Sequence, residues 1–394
     1  MKQLLWLVLA AACGSATGPA QPDAAAHASL TSLAVTPSTL SAKRGLDAPT
    51  QLKATATLSD GRTVDVTNDA TWMSSNATAV GVSPAGLVTP LAAGMATVTA
   101  TYGGMNGTAM VTAQSPKLYA TDVSPSAIST FDAYASGDTP PLTRITGAAT
   151  TLSFPWDIEV VDDEIYVSDA TSNAVDVWPI AATGNVAPSR RITGALTKIT
   201  SNYALTVFNH EIFVAGSNTS EILVFPTTAT GNVAPTREIV GAATLISGDL
   251  GSMTVYNNEL FVADINNRQV LVFPVAASGN VAPSRVITDI NAYDVEVKHD
   301  EIYVADLQGV SVFPVTANGT ADATVIRRIS GTATGLGTTL GVRVIGNEVY
   351  TMEYSGPGGM HVFPRAAVGA PTPTRNLPSG GMTLLGGPRD FTLY

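Results

Sequence analysis

The chain has 394 residues, a formal net charge of −11 and one cysteine, and 13% of its residues are charged, about half of the ~25% usual for a soluble domain. With 20 Lys and Arg against 31 Asp and Glu, it lacks the basic footprint that nucleic-acid binding needs. The single cysteine excludes a disulfide framework and a thiolate zinc site, and the four histidines leave little room for a His-rich metal centre. Abundant Val, Thr, Ala and Gly without a long amphipathic period predict a nearly all-β chain of two or three domains.

Lys2 precedes a nine-residue apolar run, LLWLVLAAA at 4–12, too short to span a bilayer but suited to a signal peptide. It leads into Ala10-Ala11-Ala12-Cys13-Gly14-Ser15. This resembles a bacterial lipobox, in which the cysteine is acylated and the peptide is cut before it, although Ala10 stands where Leu is commonest. An ordinary secretory signal with an incidental cysteine is the alternative. The resemblance implies a signal peptide over 1–12, a lipid on Cys13 and, over 13–28, a flexible tether rich in Gly, Pro, Ser and Ala. The expected location is the bacterial cell envelope, with the membrane as partner through acylated Cys13. The outer membrane is favoured because Gly14 is not the aspartate of inner-membrane retention; the periplasmic and surface faces stay open.

From 29 to 115, short alternating segments are separated by turn residues, a pattern that predicts a β-sandwich. Val35-Thr36-Pro37, Ser59-Asp60-Gly61, Trp72 with Ser74-Ser75, Gly86-Leu87-Val88-Thr89 and the run GMATVTA from Gly94 stand in an order that resembles the bacterial Ig-like group 2 domain of invasin- and intimin-type surface proteins. Trp72 is the expected core tryptophan. The segment holds no cluster of ligand-type residues, so a stalk is expected rather than a chemical site.

From 116 to 394 the chain repeats. LYATD from Leu118 recurs as IYVSD, IFVAG, LFVAD, IYVAD and VYTME at intervals of 42–48 residues. Each copy leads to a strand closing on an aromatic residue (VDVWP, ILVFP, VLVFP, VSVFP, MHVFP), a turn such as TGNVAPSR and two further strands. Four strands per repeat predict propeller blades. The dipeptides Asp162-Asp163, Asn209-His210, Asn257-Asn258, His299-Asp300 and Gly346-Asn347 suit type I′ hairpins. Two of the four histidines are thereby spent on turns, and His27 lies in the tether. Arg389-Asp390-Phe391-Thr392 aligns with Trp156-Asp157-Ile158-Glu159, so the C-terminus is expected to supply the innermost strand of the first blade and leave no open edge. ELFVADINNRQVLVFP from Glu259 resembles an NHL repeat, and the array is similar to the wider NHL and gluconolactonase-like six-bladed group. The fold expected is an Ig-like sandwich followed by a closed six-bladed β-propeller.

Alignment on the hairpins puts Asp157, Ala204, Ser252, Asp294, Gly341 and Asp390 in one axial layer, and Glu159, Thr206, Thr254, Glu296, Arg343 and Thr392 in the next. Asp157, Asp294, Asp390, Glu159, Glu296 and Arg343 are the candidate axial site for a cation or cationic ligand, with Ca²⁺ as the one cofactor it would take. The gluconolactonase-like resemblance implies an axial divalent cation on Glu, Asn and Asp, but these layers lack Asn. Asp122, Asp169, Asp264, Asp306 and Glu353 end the second strands, where carboxylates commonly accept turn amides. Arg144, Arg190, Arg237, Arg285, Arg328 and Arg375 form a row at the opposite periphery, suited to packing and carboxylate pairing or to an anionic glycan or lipid head group.

No catalytic triad, phosphate loop or HExxH is present, and no catalytic residue is assigned. The favoured function is a non-enzymatic surface or periplasmic lipoprotein, a monomer whose propeller binds an envelope protein or glycan. The alternative is a metal-dependent hydrolase or lactonase.

Overall fold

The computed structural model describes residues 28–217, 219–354 and 358–394; the signal peptide, Cys13 and most of the tether therefore lie outside the described residues. The N-terminal domain has three sheets. One pairs Leu30–Thr36 with Lys53–Leu58, and another runs Thr39–Lys43, Met105–Gln114, Gly94–Tyr102, Thr71–Ser74. Alternation along these strands sends Val35, Ala54, Val98, Ala100 and Val111 into one shared core, as expected of a half-buried antiparallel pair. Trp72 packs against this core while staying half-buried, and its indole donates to the Thr67 carbonyl at 2.9 Å. The polar end of the ring needs that partner, and small Ala and Val side chains already fill the interior.

The rest is an array of antiparallel sheets. In one of them Pro155–Val161, Glu164–Asp169, Ala174–Pro179 and Arg190–Thr193 lie side by side in chain order. Its hairpin residues Asp162 and Asp163 have φ of 51° and 61°, the left-handed pair that a two-residue type I′ turn requires. Asn209-His210, Asn257-Asn258 and His299-Asp300 repeat this conformation. The sheet holding Lys117–Val123 takes its inner strand from Pro388–Leu393 at the other end of the chain. Tyr119 faces Thr392 there, and Leu118 faces Leu393. Inner strands of successive sheets pack against each other, Pro388–Leu393 between Thr339–Ile345 and Pro155–Val161.

Core side chains come from the aromatic that closes each third strand. Trp178, Phe225, Phe273, Phe313 and Phe363 are completely buried, and Phe131 nearly so. The GN turns fasten one sheet to the last. Asn185, Asn232 and Asn280 Oδ1 each accept, at 2.7 Å, an amide of the preceding repeat, from Ala149, Leu196 and Ala243. Asp138 does the same across the two ends of the array, accepting from Met382 N at 2.6 Å.

Removal of residues 389–394 takes away fully buried Phe391 and one of the two partners of the strand Lys117–Val123. Loss of a buried Phe alone costs about 3–5 kcal/mol. The melting temperature should fall by roughly 10 °C or more; an unchanged melt would show that this pairing does not hold the array together.

Candidate functional site

Each inner strand begins at the axis. Asp157, Asp294 and Asp390 are buried there, and each carboxylate reaches the next inner strand. Asp157 Oδ2 accepts from Leu205 N at 2.8 Å, Asp294 Oδ2 from Val342 N at 2.6 Å, and Asp390 Oδ2 from Ile158 N at 3.5 Å. These are the amides just after the axial positions Ala204, Gly341 and Asp157. Each of these carboxylates commits one oxygen to the fold as a charge-assisted acceptor. Gly341 is glycine for want of space, since a Cβ there would stand 3.1 Å from Asp390 Oδ1.

Arg343 occupies the centre. Its Nη1 donates to Asp294 Oδ2 at 2.5 Å and to the Val342 carbonyl at 2.7 Å, while Nη2 donates to Asp390 Oδ2 at 2.9 Å. One guanidinium thus bridges carboxylates from the sheets on either side of its own. Burial opposes its charge, but Asp294 and Asp390 outweigh this and push its pKa up. Asp157 Oδ1 and Asp390 Oδ1 are buried without a hydrogen-bond partner. Burial, and then the Asp390 charge, pushes Asp157 well above the usual carboxylate range. Burial raises Asp390 to about 6, with Arg343 opposing.

The expected axial set is therefore divided. Asp390 meets both Asp157 and Arg343, whereas Asp157 and Asp294 sit three sheets apart in the order of the array. The place considered for Ca²⁺ is taken by the Arg343 side chain, and among the described residues no group of three or more His, Cys, Asp or Glu is arranged to hold a metal ion.

Glu159 and Glu296 lie one layer further along the axis and line a cavity of about 430 Å³ with Thr254, Thr392 and Arg343. Burial raises Glu159 to about 8 and Glu296 to about 7, in each case against the pull of Arg343. Leu46 of the Ig-like domain lines the same cavity. Around it, Lys43 Nζ lies 3.4 Å from the Tyr394 ring centre and the Arg44 guanidinium 3.7 Å from that of Tyr134. The N-terminal domain is thus docked on the hairpin face.

The carboxylates that end the second strands are structural. Asp122 accepts from Ser124, Gly386 and Gly387 amides, and Asp169 from Ser153, Phe154 and Ser172. Asp264 binds the Ser247 and Asn267 amides, Asp306 that of Gln308, and Glu353 that of Gly337. The arginine row needs a register correction. Glu164, Glu211, Glu259, Glu301 and Glu348 pair with Arg190, Arg237, Arg285, Arg327 and Arg375. Arg327, not Arg328, belongs to this row; Arg328 pairs with Asp322. In the first repeat Thr143 stands at the arginine position and Lys117 at the glutamate position, so both partners change together.

Sequence reasoning passed over the residues just before the axial layer, namely Trp156, Tyr203, Gly251, Tyr293, Leu340 and Arg389. Three aromatics in one aligned column are the signal that marks them.

Residues 29–113 match the bacterial Ig-like domain (group 2). Over 98 residues the chain is 35% identical to Ice-binding protein 1 of Shewanella frigidimarina (strain NCIMB 400), a match covering 25% of this chain and 11% of that protein. A protein of unknown function from Bacteroides caccae is similar in structure, with a TM-score of 0.51 at 8% identity over 71% of this chain and 99% of that one. A candidate 6-phosphogluconolactonase from Bacteroides uniformis ATCC 8492 gives a TM-score of 0.46 at 13% identity, over 87% of this chain and 95% of that one. At these identities the likeness concerns fold, not activity.

Arg343→Met leaves Asp294 buried without its cation and should cost about 3–5 kcal/mol of stability, measured by denaturant unfolding. The glutamates give a pH test. The unfolded chain releases their protons near pH 4.5 and the folded chain holds them until pH 7–8, so their contribution to stability is full below pH 4.5 and lost as pH rises to about 8. Glu159→Gln should melt higher than the wild type at pH 8, with the gap closing towards pH 4.5; a gap that widens on acidification would contradict the assignment.

Proposed function

We propose that this chain is a non-enzymatic, lipid-anchored envelope protein in which the repeats form one closed six-bladed, NHL-like propeller that binds a partner. The Ig-like domain over 29–115 is its stalk, following a signal peptide at 1–12 and a tether at 13–28 acylated at Cys13. The supporting observation is the engagement of the axial carboxylates. Asp157, Asp294 and Asp390 are committed to backbone amides of neighbouring strands, and Asp294 and Asp390 also to Arg343. A metal-dependent lactonase needs a cation with open coordination positions and carboxylates free to hold it. Here the central positive charge is a side chain of the protein itself.

Docking of the stalk on the hairpin face, through Lys43, Arg44 and Leu46, leaves the opposite face of the propeller to meet an envelope protein or glycan. A monomer suffices for this arrangement, and the acyl chains hold it at the membrane.

The purified chain should turn over neither lactones nor phosphate esters when Ca²⁺, Mg²⁺, Mn²⁺ or Zn²⁺ is supplied. Turnover abolished by Asp294→Asn would replace the binding reading with the enzymatic one. In cells, Cys13→Ser should move the protein out of the detergent-extracted membrane fraction and remove metabolic palmitate label; a wild type that never takes up label would end the lipid-anchor proposal.

A further inference from the structure

We infer that the propeller face opposite the Ig-like domain carries a site for an acidic sugar, with Phe154, Trp156 and Tyr203 as stacking surface and Arg389 as the charge that selects a carboxylate. The inference rests on the binding-head reading and names the class of ligand.

These residues stand where the inner strands begin, at the end of the axis away from the hairpins. The Trp156 and Tyr203 rings are 4.4 Å apart and the Phe154 and Trp156 rings 5.8 Å apart, each pair inclined by only 26°. The Arg389 guanidinium lies 4.9 Å from the Trp156 ring, 5.1 Å from Phe154 and 4.2 Å from Tyr354. None of the three stacked rings is fully buried, and Tyr354 is 51% exposed. Stacked on one another and beside Arg389, these rings keep part of their surface exposed.

Arg190, Arg237, Arg285, Arg327, Arg343 and Arg375 each hold a carboxylate. Among the described residues Arg389, like Arg144 and Arg268, makes no ion pair, and its Nε is buried without a hydrogen-bond partner, as is that of several paired arginines. Arg389 is set apart by the three aromatic rings around its guanidinium. A planar donor fork desolvated by aromatic faces, with no internal anion, is suited to a carboxylate from outside. Beside it Phe154 and Tyr203 open onto a pocket of about 420 Å³ lined by Thr171, Asn173 and Ser201. Ser201 keeps a φ of 44° there, and its amide donates to Asn173 Oδ1 at 2.7 Å.

Flat aromatic faces, hydroxyl and amide groups and one cation describe the complement of a uronic acid, which combines an apolar C–H face, hydroxyls and a single carboxylate. A nucleobase would stack equally well, but a uronic acid also brings a planar carboxylate matched to the guanidinium fork.

Calorimetric titration of the full chain with tetragalacturonate, tetramannuronate and a hyaluronan tetrasaccharide should give saturable binding for at least one. For that probe Arg389→Gln and Tyr203→Ala should each weaken affinity by about tenfold or more, and reduction of its carboxylates should weaken it to the same degree in the wild type. Thermal melts accompany each variant. Tyr203 lies away from the closing strand, so Tyr203→Ala remains informative if Arg389→Gln unfolds. Absence of binding by all three probes, or affinity unchanged in Tyr203→Ala, overturns the site, as does preference for oligo-dT. Capture of an envelope polysaccharide that neither substitution affects overturns this site while the binding head stands, whereas lactone turnover overturns the binding head itself.

Discussion

One guanidinium decides whether the axis of this protein can exist. The chain brings Asp157, Asp294 and Asp390 into a buried layer because each pins a backbone amide of the neighbouring strand, and those pins align the inner strands. Carboxylates in such a medium cannot all stay charged and unpaired. Arg343 bridges Asp294 and Asp390, and burial together with the Asp390 charge pushes Asp157 well above the usual carboxylate range. Asp390 takes part in both effects and lies on the strand Pro388–Leu393. The charge balance at the axis and the pairing of the two ends of the array therefore depend on one another.

That arrangement bears on function. A propeller axis lined with carboxylates resembles a metal site when read as composition. Once the partners are counted, the carboxylates are acceptors for the fold, and the positive charge at the centre belongs to the protein. Glu159 and Glu296, one layer on, face a cavity beneath Leu46, so the Ig-like domain covers one end of the axis. At the other end stand the stacked rings of Phe154, Trp156 and Tyr203.

Features set by neighbours in the chain were legible in the sequence. The repeat, the aromatic that closes each third strand, and the left-handed hairpin dipeptides are local, and Asp162-Asp163 or Asn257-Asn258 carries its turn type in its own φ preferences. The axial layer was legible as a column of residues because alignment on those hairpins places it. Its chemistry was not, since Arg343 meets partners 49 and 47 residues away, and no spacing rule says which way its side chain turns. The arginine row slipped by one residue at Arg328 because two arginines stand together and only Glu301 across the sheet selects Arg327. Trp72 was expected in the core from the Ig-like resemblance and does pack against it, but its half-buried position and its bond to the Thr67 carbonyl were not legible, since they depend on the fold around the ring.

Burial and an internal cation together hold the axial aspartates. Carbon-13 NMR of aspartate-labelled protein, titrated between pH 3 and pH 9, tests this directly. Asp157 and Asp390 are expected to titrate as an interacting pair above the ordinary range near 3.9, and Asp157→Asn is expected to remove the upper step. Two independent carboxylates that both ionise near pH 4 would mean that the axis is balanced in some other way.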